Sequence, residues 1–186
     1  MSMAAVPSHT KIRDLAYIAL MAALMAVCSW IILPVGPVPF TMQTFGVFAA
    51  LGLLGGKRGF LSVLLYLFLG MVGLPVFSGF SSGLGALLGA TGGYLLGFLA
   101  LALIYWAITA QAGTSLPVMV AALVLGLAVC YAFGTAWFLL IYTGGGHTGT
   151  LLGTLTLCVF PYIIPDLIKL AAALLLVRRI GRFVAQ

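Results

Sequence analysis

From Gly59 to Val177 the chain carries only two charged side chains, Asp166 and Lys169, and they lie three residues apart. A soluble domain carries about 25% charged residues to keep its surface in water. This chain carries 5%, with 64% hydrophobic residues and a mean hydropathy of +1.30. No soluble core needs so much apolar surface, so the sequence predicts a single-domain, all-α integral membrane protein. The formal charge of +6 does not point to nucleic acid. Its basic residues sit at the ends of apolar runs, where membrane topology puts them.

Breaks in the apolar runs divide residues 1–186 into a polar tail, 1–13, and six spans. These fall at about 14–33, 41–55, 60–74, 92–108, 116–142 and 155–177, each judged against the ~20 residues that cross a bilayer. The first run is long enough to span and is read as a membrane helix rather than a cleaved signal. The dividers are rich in residues that do not continue a helix. They are the proline run Pro34–Pro39, the Gly55-Gly56-Lys57-Arg58-Gly59 turn, the glycine- and serine-rich stretch 75–91, the turn at 111–115, and the glycine-rich loop containing His147.

Six spans place both termini on one side, and the basic residues agree. Lys11 and Arg13, Lys57 and Arg58, and Arg178, Arg179 and Arg182 all fall on that side, while the opposite loops contain no Lys or Arg. By the excess of positive charge on the inner face, the termini are expected to be cytoplasmic. Asp166 and Lys169 then belong to the outer half of the last span. Pro165 suits the first turn of a helix, which would place Asp166 at the positive end of the helix dipole.

A charge at membrane depth costs at least a few kcal/mol and is seldom without a partner or a task. Irregular backbone at that depth is tolerated where it is buried in protein or lines a cavity. The glycine–serine stretch over a charged pair is therefore read as a lid over a pocket for a small, mostly apolar ligand with an N–H and a carbonyl. Thr41, Gln43 and the tyrosines at 66, 94 and 162 are further polar candidates. The bland alternatives are a structural ion pair, a solvated His147, and polar side chains that only satisfy backbone. Cys28, Cys130 and Cys158 are widely spaced in apolar runs and read as small core residues, not as metal ligands. There is no phosphate-binding loop, catalytic triad or metal cluster in the sequence, so neither an enzyme nor a cofactor is expected. Ala16, Ala19, Ala23 and Ala26 form a smooth face on span one, suited to close helix packing within the chain or against another membrane protein.

Four stretches in order carry a resemblance. They are Val38-Pro39-Phe40-Thr41-Met42-Gln43-Thr44-Phe45, Gly70-Met71-Val72-Gly73-Leu74-Pro75-Val76-Phe77, Gly89-Ala90-Thr91-Gly92-Gly93-Tyr94-Leu95-Leu96-Gly97, and Pro165-Asp166-Leu167-Ile168-Lys169. Together they resemble the BioY family, the biotin-capturing S components of energy-coupling-factor (ECF) transporters, over nearly the whole chain. The resemblance implies the six-helix S-component fold and a high-affinity biotin site near the outer surface of the cytoplasmic membrane. It implies as partners a transmembrane coupling (T) subunit and two ATPase subunits. Carried onto this sequence, the biotin site would draw on Asp166, Lys169, Thr41, Gln43, Phe80, Ser81, Gly83, Gly93, Tyr94 and Tyr162, with Phe45 and Ser82 nearby. Asp166 would accept from a ureido N–H and Lys169 would donate to the ureido oxygen or neutralise Asp166. The alanine face would dock on the coupling subunit. Competing readings are a proton-coupled transporter with Asp166 as the proton carrier, a ligand-free structural partner, and an S component for another vitamin.

Overall fold

The computed structural model describes residues 8–33, 40–144 and 150–184. The proline run and the His147 loop lie outside them. Helix α1, Ser8–Trp30, is followed by a two-residue strand β1, Ile32–Leu33. This pairs antiparallel with β2, Phe40–Thr41. Helix α2 covers Gln43–Met71. A 3-10 turn, Ser78–Phe80, and the short helix α3, Gly83–Leu88, lead to α4, Gly92–Ala112, and α5, Leu116–Gly144. Helices α6, Leu151–Cys158, and α7, Phe160–Val184, complete the order. Residues 8–13, read from the sequence as tail, are the first turns of α1.

Among the described residues, five helical stretches are long and apolar enough to cross a membrane. The expected second and third spans fall together within α2, but α2 is not one straight rod. Gly55 has φ 77° and ψ 177°, a conformation open to glycine and costly for other residues. There the chain folds back. A Cβ on Gly59 would lie 2.8 Å from the Leu51 Cα, and the Gln43 side chain donates to the hydroxyl of Tyr66, 23 residues on. Residues so far apart in a straight helix would be separated by about 34 Å.

The folded-back α2 is the centre of the bundle and packs on α1, α4 and α7, while α5 packs on α4. The core runs through Met25, Phe48, Leu51, Val63, Tyr66, Leu101, Tyr105 and Leu123, all essentially inaccessible. The outward faces carry Leu20, Phe68, Leu125, Leu140 and Ile168. Such a surface suits hydrocarbon rather than water.

The last span differs from its expected form. Pro161, not Pro165, lies in the opening turn of α7, and Pro165 is inside the helix. Val159 departs from helical geometry between α6 and α7, which bends the chain just before the two prolines. Asp166 is therefore nearly two turns into α7, and the helix-dipole argument for its carboxylate does not apply.

The molecule has two unlike ends. At one, Arg58 in the α2 turn pairs with Asp14 of α1 at 3.0 Å. A Cβ on Gly52 would lie 2.6 Å from Val177 Cγ2, so the end of α7 is at this level too. Lys11, Arg13, Lys57, Arg178 and Arg179 belong to this end by their positions in α1, α2 and α7. At the other end are the strand pair, the beginnings of α2, α4 and α7, and the segment between α2 and α4.

Candidate functional site

That second end holds a half-open cavity of about 260 Å³. Its floor is Asp166 and Lys169, one helical turn apart on α7 and both buried. Lys169 Nζ lies 2.8 Å from Asp166 Oδ1. The ammonium also donates to the Thr41 carbonyl at 2.7 Å and to Thr44 Oγ1 at 3.2 Å. It stands 3.8 Å from the centre of the Phe40 ring, a cation–π contact of useful strength when desolvated. Thr44 Oγ1 donates to Asp166 Oδ1 at 2.8 Å, and the Tyr131 hydroxyl donates to Oδ2.

An ammonium has three N–H groups and no acceptor. All three of Lys169's find protein acceptors, so its donor capacity is filled. Asp166 Oδ1 takes two donors, whereas Oδ2 takes Tyr131 and keeps acceptor capacity beside the cavity. The corner is thus balanced in charge and richer in acceptors than in donors.

The strand pair places Thr41 here. Its register sets Phe40 opposite Leu33 and Thr41 opposite Ile32, and the Met42 N–H is captured by the carbonyls at the end of α1. The chain then turns into α2, where Thr44 meets Asp166 and Lys169 of α7. Gln43 accepts from Thr41 Oγ1 at 2.8 Å and donates to Tyr66, which donates to the Val76 carbonyl at 3.0 Å. This relay ties the site's corner to both limbs of α2 and to the covering segment.

The cover is the glycine- and serine-rich stretch expected to act as a lid. It is ordered into the 3-10 turn and α3 and pinned at both sides by tryptophan. Trp30 of α1 donates to the Pro75 carbonyl and Trp137 of α5 to the Gly89 carbonyl, each at 3.0 Å. Phe77 is buried beneath it, edge-on to Tyr66, and Gly70 admits the ring: a Cβ there would lie 2.0 Å from Phe77 Cζ.

Of the residues singled out from sequence, Asp166, Lys169, Thr41, Gln43, Ser81, Tyr94 and Tyr162 line the cavity. Phe80, Gly83, Gly93, Phe45 and Ser82 do not. Phe80 is largely exposed and stacks on Trp30, ring centres 5.1 Å apart. Gly93 meets Trp137, where a Cβ would lie 2.2 Å from the tryptophan Cβ; its smallness serves helix packing. Thr44, Tyr131, Phe77, Cys130 and Cys158 line the cavity without having been singled out as site residues. Of the alanine face, Ala16, Ala19 and Ala23 are exposed while Ala26 is buried.

The comparisons agree with this architecture. The BioY family model matches residues 3–186. A probable biotin transporter BioY of Pyrococcus horikoshii is 38% identical over 91% of this chain and 97% of its own length. The biotin transporter BioY of Thermotoga maritima is 38% identical over 91% and 96%. A crystal structure of the S-component for biotin from an ECF-type ABC transporter superposes with a TM-score of 0.83 at 28% identity. The match covers 96% of this chain and 95% of that one. With its apolar helices and these relatives, the chain is a multi-pass protein of the cell membrane. A match to the family model across nearly its full length, and relatives alike over nine-tenths of it, mean that this chain belongs to the BioY family.

Proposed function

We propose that the chain captures biotin from outside the cell and mediates its uptake as the substrate-specific S component of an ECF-type transporter. The observation that carries this reading is the buried Asp166–Lys169 pair facing a cavity under an ordered cover. A carboxylate with spare acceptor capacity in a mostly apolar chamber suits a ureido N–H beside a thioether ring. Tyr94, Tyr162 and Phe77 supply apolar surface, and Ser78, Ser81 and Thr91 supply hydroxyls towards the cover for the ligand's carboxylate. Because Lys169's donors are filled, its role is to hold and orient the Asp166 carboxyl, with donation to the ureido oxygen requiring exchange of one protein contact.

In this reading α2 crosses the bilayer twice, once on each side of Gly55, which makes six crossings with both termini cytoplasmic. The basic end supports it. The exposed Ala16, Ala19 and Ala23 dock on the coupling subunit, which joins two ATPase subunits. The chain acts as a carrier rather than an enzyme, and biotin is cargo rather than a resident cofactor.

Labelled biotin is expected to bind the purified wild-type chain saturably, without displacement by riboflavin or thiamine. No saturable binding, or displacement by either vitamin, would remove the assignment. Uptake in cells should require the ATPase subunits. Uptake that instead collapses with the proton gradient and persists without them would favour the proton-coupled alternative.

A further inference from the structure

The basic end has a groove of its own. Leu116 and Val120 of α5 and Ala171, Leu174 and Leu175 of α7 line a space of about 250 Å³, with Arg178 at one end. Beneath it α7 packs on α2, and the Met119 side chain of α5 reaches the same point. A Cβ on Gly52 would lie 2.6 Å from Val177 Cγ2 and 3.5 Å from Met119 Cε. Outside that floor the beginning of α5 and the end of α7 stand apart. Leu175 and Arg178 are exposed, and both helices are apolar enough to lie in hydrocarbon.

An apolar groove in a bilayer does not stay empty, because its lining would forfeit dispersion contacts. Arg178 lies one turn beyond Leu174 and Leu175, on the same face, and Arg179 follows it. A guanidinium binds phosphate oxygens through two parallel N–H bonds. Basic pockets between membrane helices on the inner side take anionic headgroups. From Ala171 to Arg178 the α7 wall is about 10 Å long. That length suits the upper part of one acyl chain and its headgroup.

We propose that the groove between α5 and α7 binds an anionic phospholipid, one acyl chain lying along Leu116, Val120, Ala171 and Leu175 and the phosphate held by Arg178. The test is native mass spectrometry of the purified chain in micelles containing equal amounts of phosphatidylglycerol and phosphatidylcholine. The wild type should retain the anionic lipid about five-fold better, the preference expected of one basic side chain near a headgroup. Arg178→Gln should lose that preference, Arg179→Gln should keep it, and Ala171→Phe, which fills the groove, should reduce retention of both lipids. Melting temperatures identify any variant that fails to fold, and Arg178→Lys then serves as the second probe, with partial retention expected. An undiminished preference in Arg178→Gln overturns the proposal, as does an equal loss in Arg179→Gln, which would mean a diffuse basic surface. So does an Ala171→Phe variant that keeps its lipids but no longer joins its partner subunits, since the groove would then belong to a protein.

Discussion

Among the described residues an ion pair stands at each end of the molecule, and the surroundings of the two are unlike. Arg58–Asp14 has side chains 39% and 26% exposed; Lys169–Asp166 has side chains 6% and 5% exposed. The first fastens the α2 turn to α1 and is reached by solvent or headgroups. Pairs of that kind contribute about 0–1 kcal/mol. The second has lost its hydration, which its mutual attraction repays only with further hydrogen bonds. Thr41, Thr44 and Tyr131 provide them. Replacing a buried pair with apolar residues often costs little or even stabilises, so stability alone does not account for keeping this one beside a cavity. The comparison sets a fastening against a pair of the same chemistry for which we propose recognition.

The largest effect should come from halving the buried pair. Asp166→Ala leaves an ammonium without its carboxylate and should destabilise the fold by about 3–5 kcal/mol, with biotin binding lost; thermal unfolding and equilibrium binding read the two separately. The double variant Asp166→Leu/Lys169→Met should recover most of the stability but none of the binding. If it binds biotin like the wild type, the pair is a second fastening and the contrast collapses.

A smaller effect is expected at Tyr131→Phe, which deletes one hydrogen bond to a charged group, about 1.5–3 kcal/mol. Biotin affinity should fall roughly 10- to 100-fold, while an analogue lacking the ureido N–H groups, already weak, should lose little more. Equal losses for both ligands would mean that the hydroxyl acts through packing.

The smallest effect belongs to the other end. Asp14→Asn should change stability by no more than about 1 kcal/mol, shrink further as salt screens the exposed pair, and leave biotin affinity unchanged. A larger, salt-independent loss would show that the two ends are less different than their exposure implies.

The parts of this site legible in the sequence were those that broke a pattern. Two charges in a long apolar tract, a proline run before Thr41 and Gln43, and a glycine–serine stretch all stand out because lipid selects against them. Tyr131 did not stand out. It lies in α5, which is apolar all round and so gives no sign of which face is inward. Thr44 was hidden for a related reason: a hydroxyl at the start of a helix has a local use, and its partner is 122 residues away. Gly83, Gly93 and Phe80 came from the glycine-rich loop carried over with the resemblance; they lie outside the cavity lining, where Gly93 serves packing and Gly83 a left-handed turn. The opening of α7 was misread because two prolines four residues apart both fit a first turn, and the bend at Val159 decides between them.

Gly55 has a further consequence. The limb of α2 before it, Gln43 to Leu54, is only about 18 Å long at an α-helical rise, against ~30 Å of hydrocarbon. In the proposed six-crossing topology this helical limb does not complete its crossing alone, and the strand pair ahead of it would lie within the outer leaflet. On that topology Gln43 and Thr44 at its tip would be recessed below the outer lipid phosphates, so a vitamin held there as proposed would have shed its bulk water on the way down.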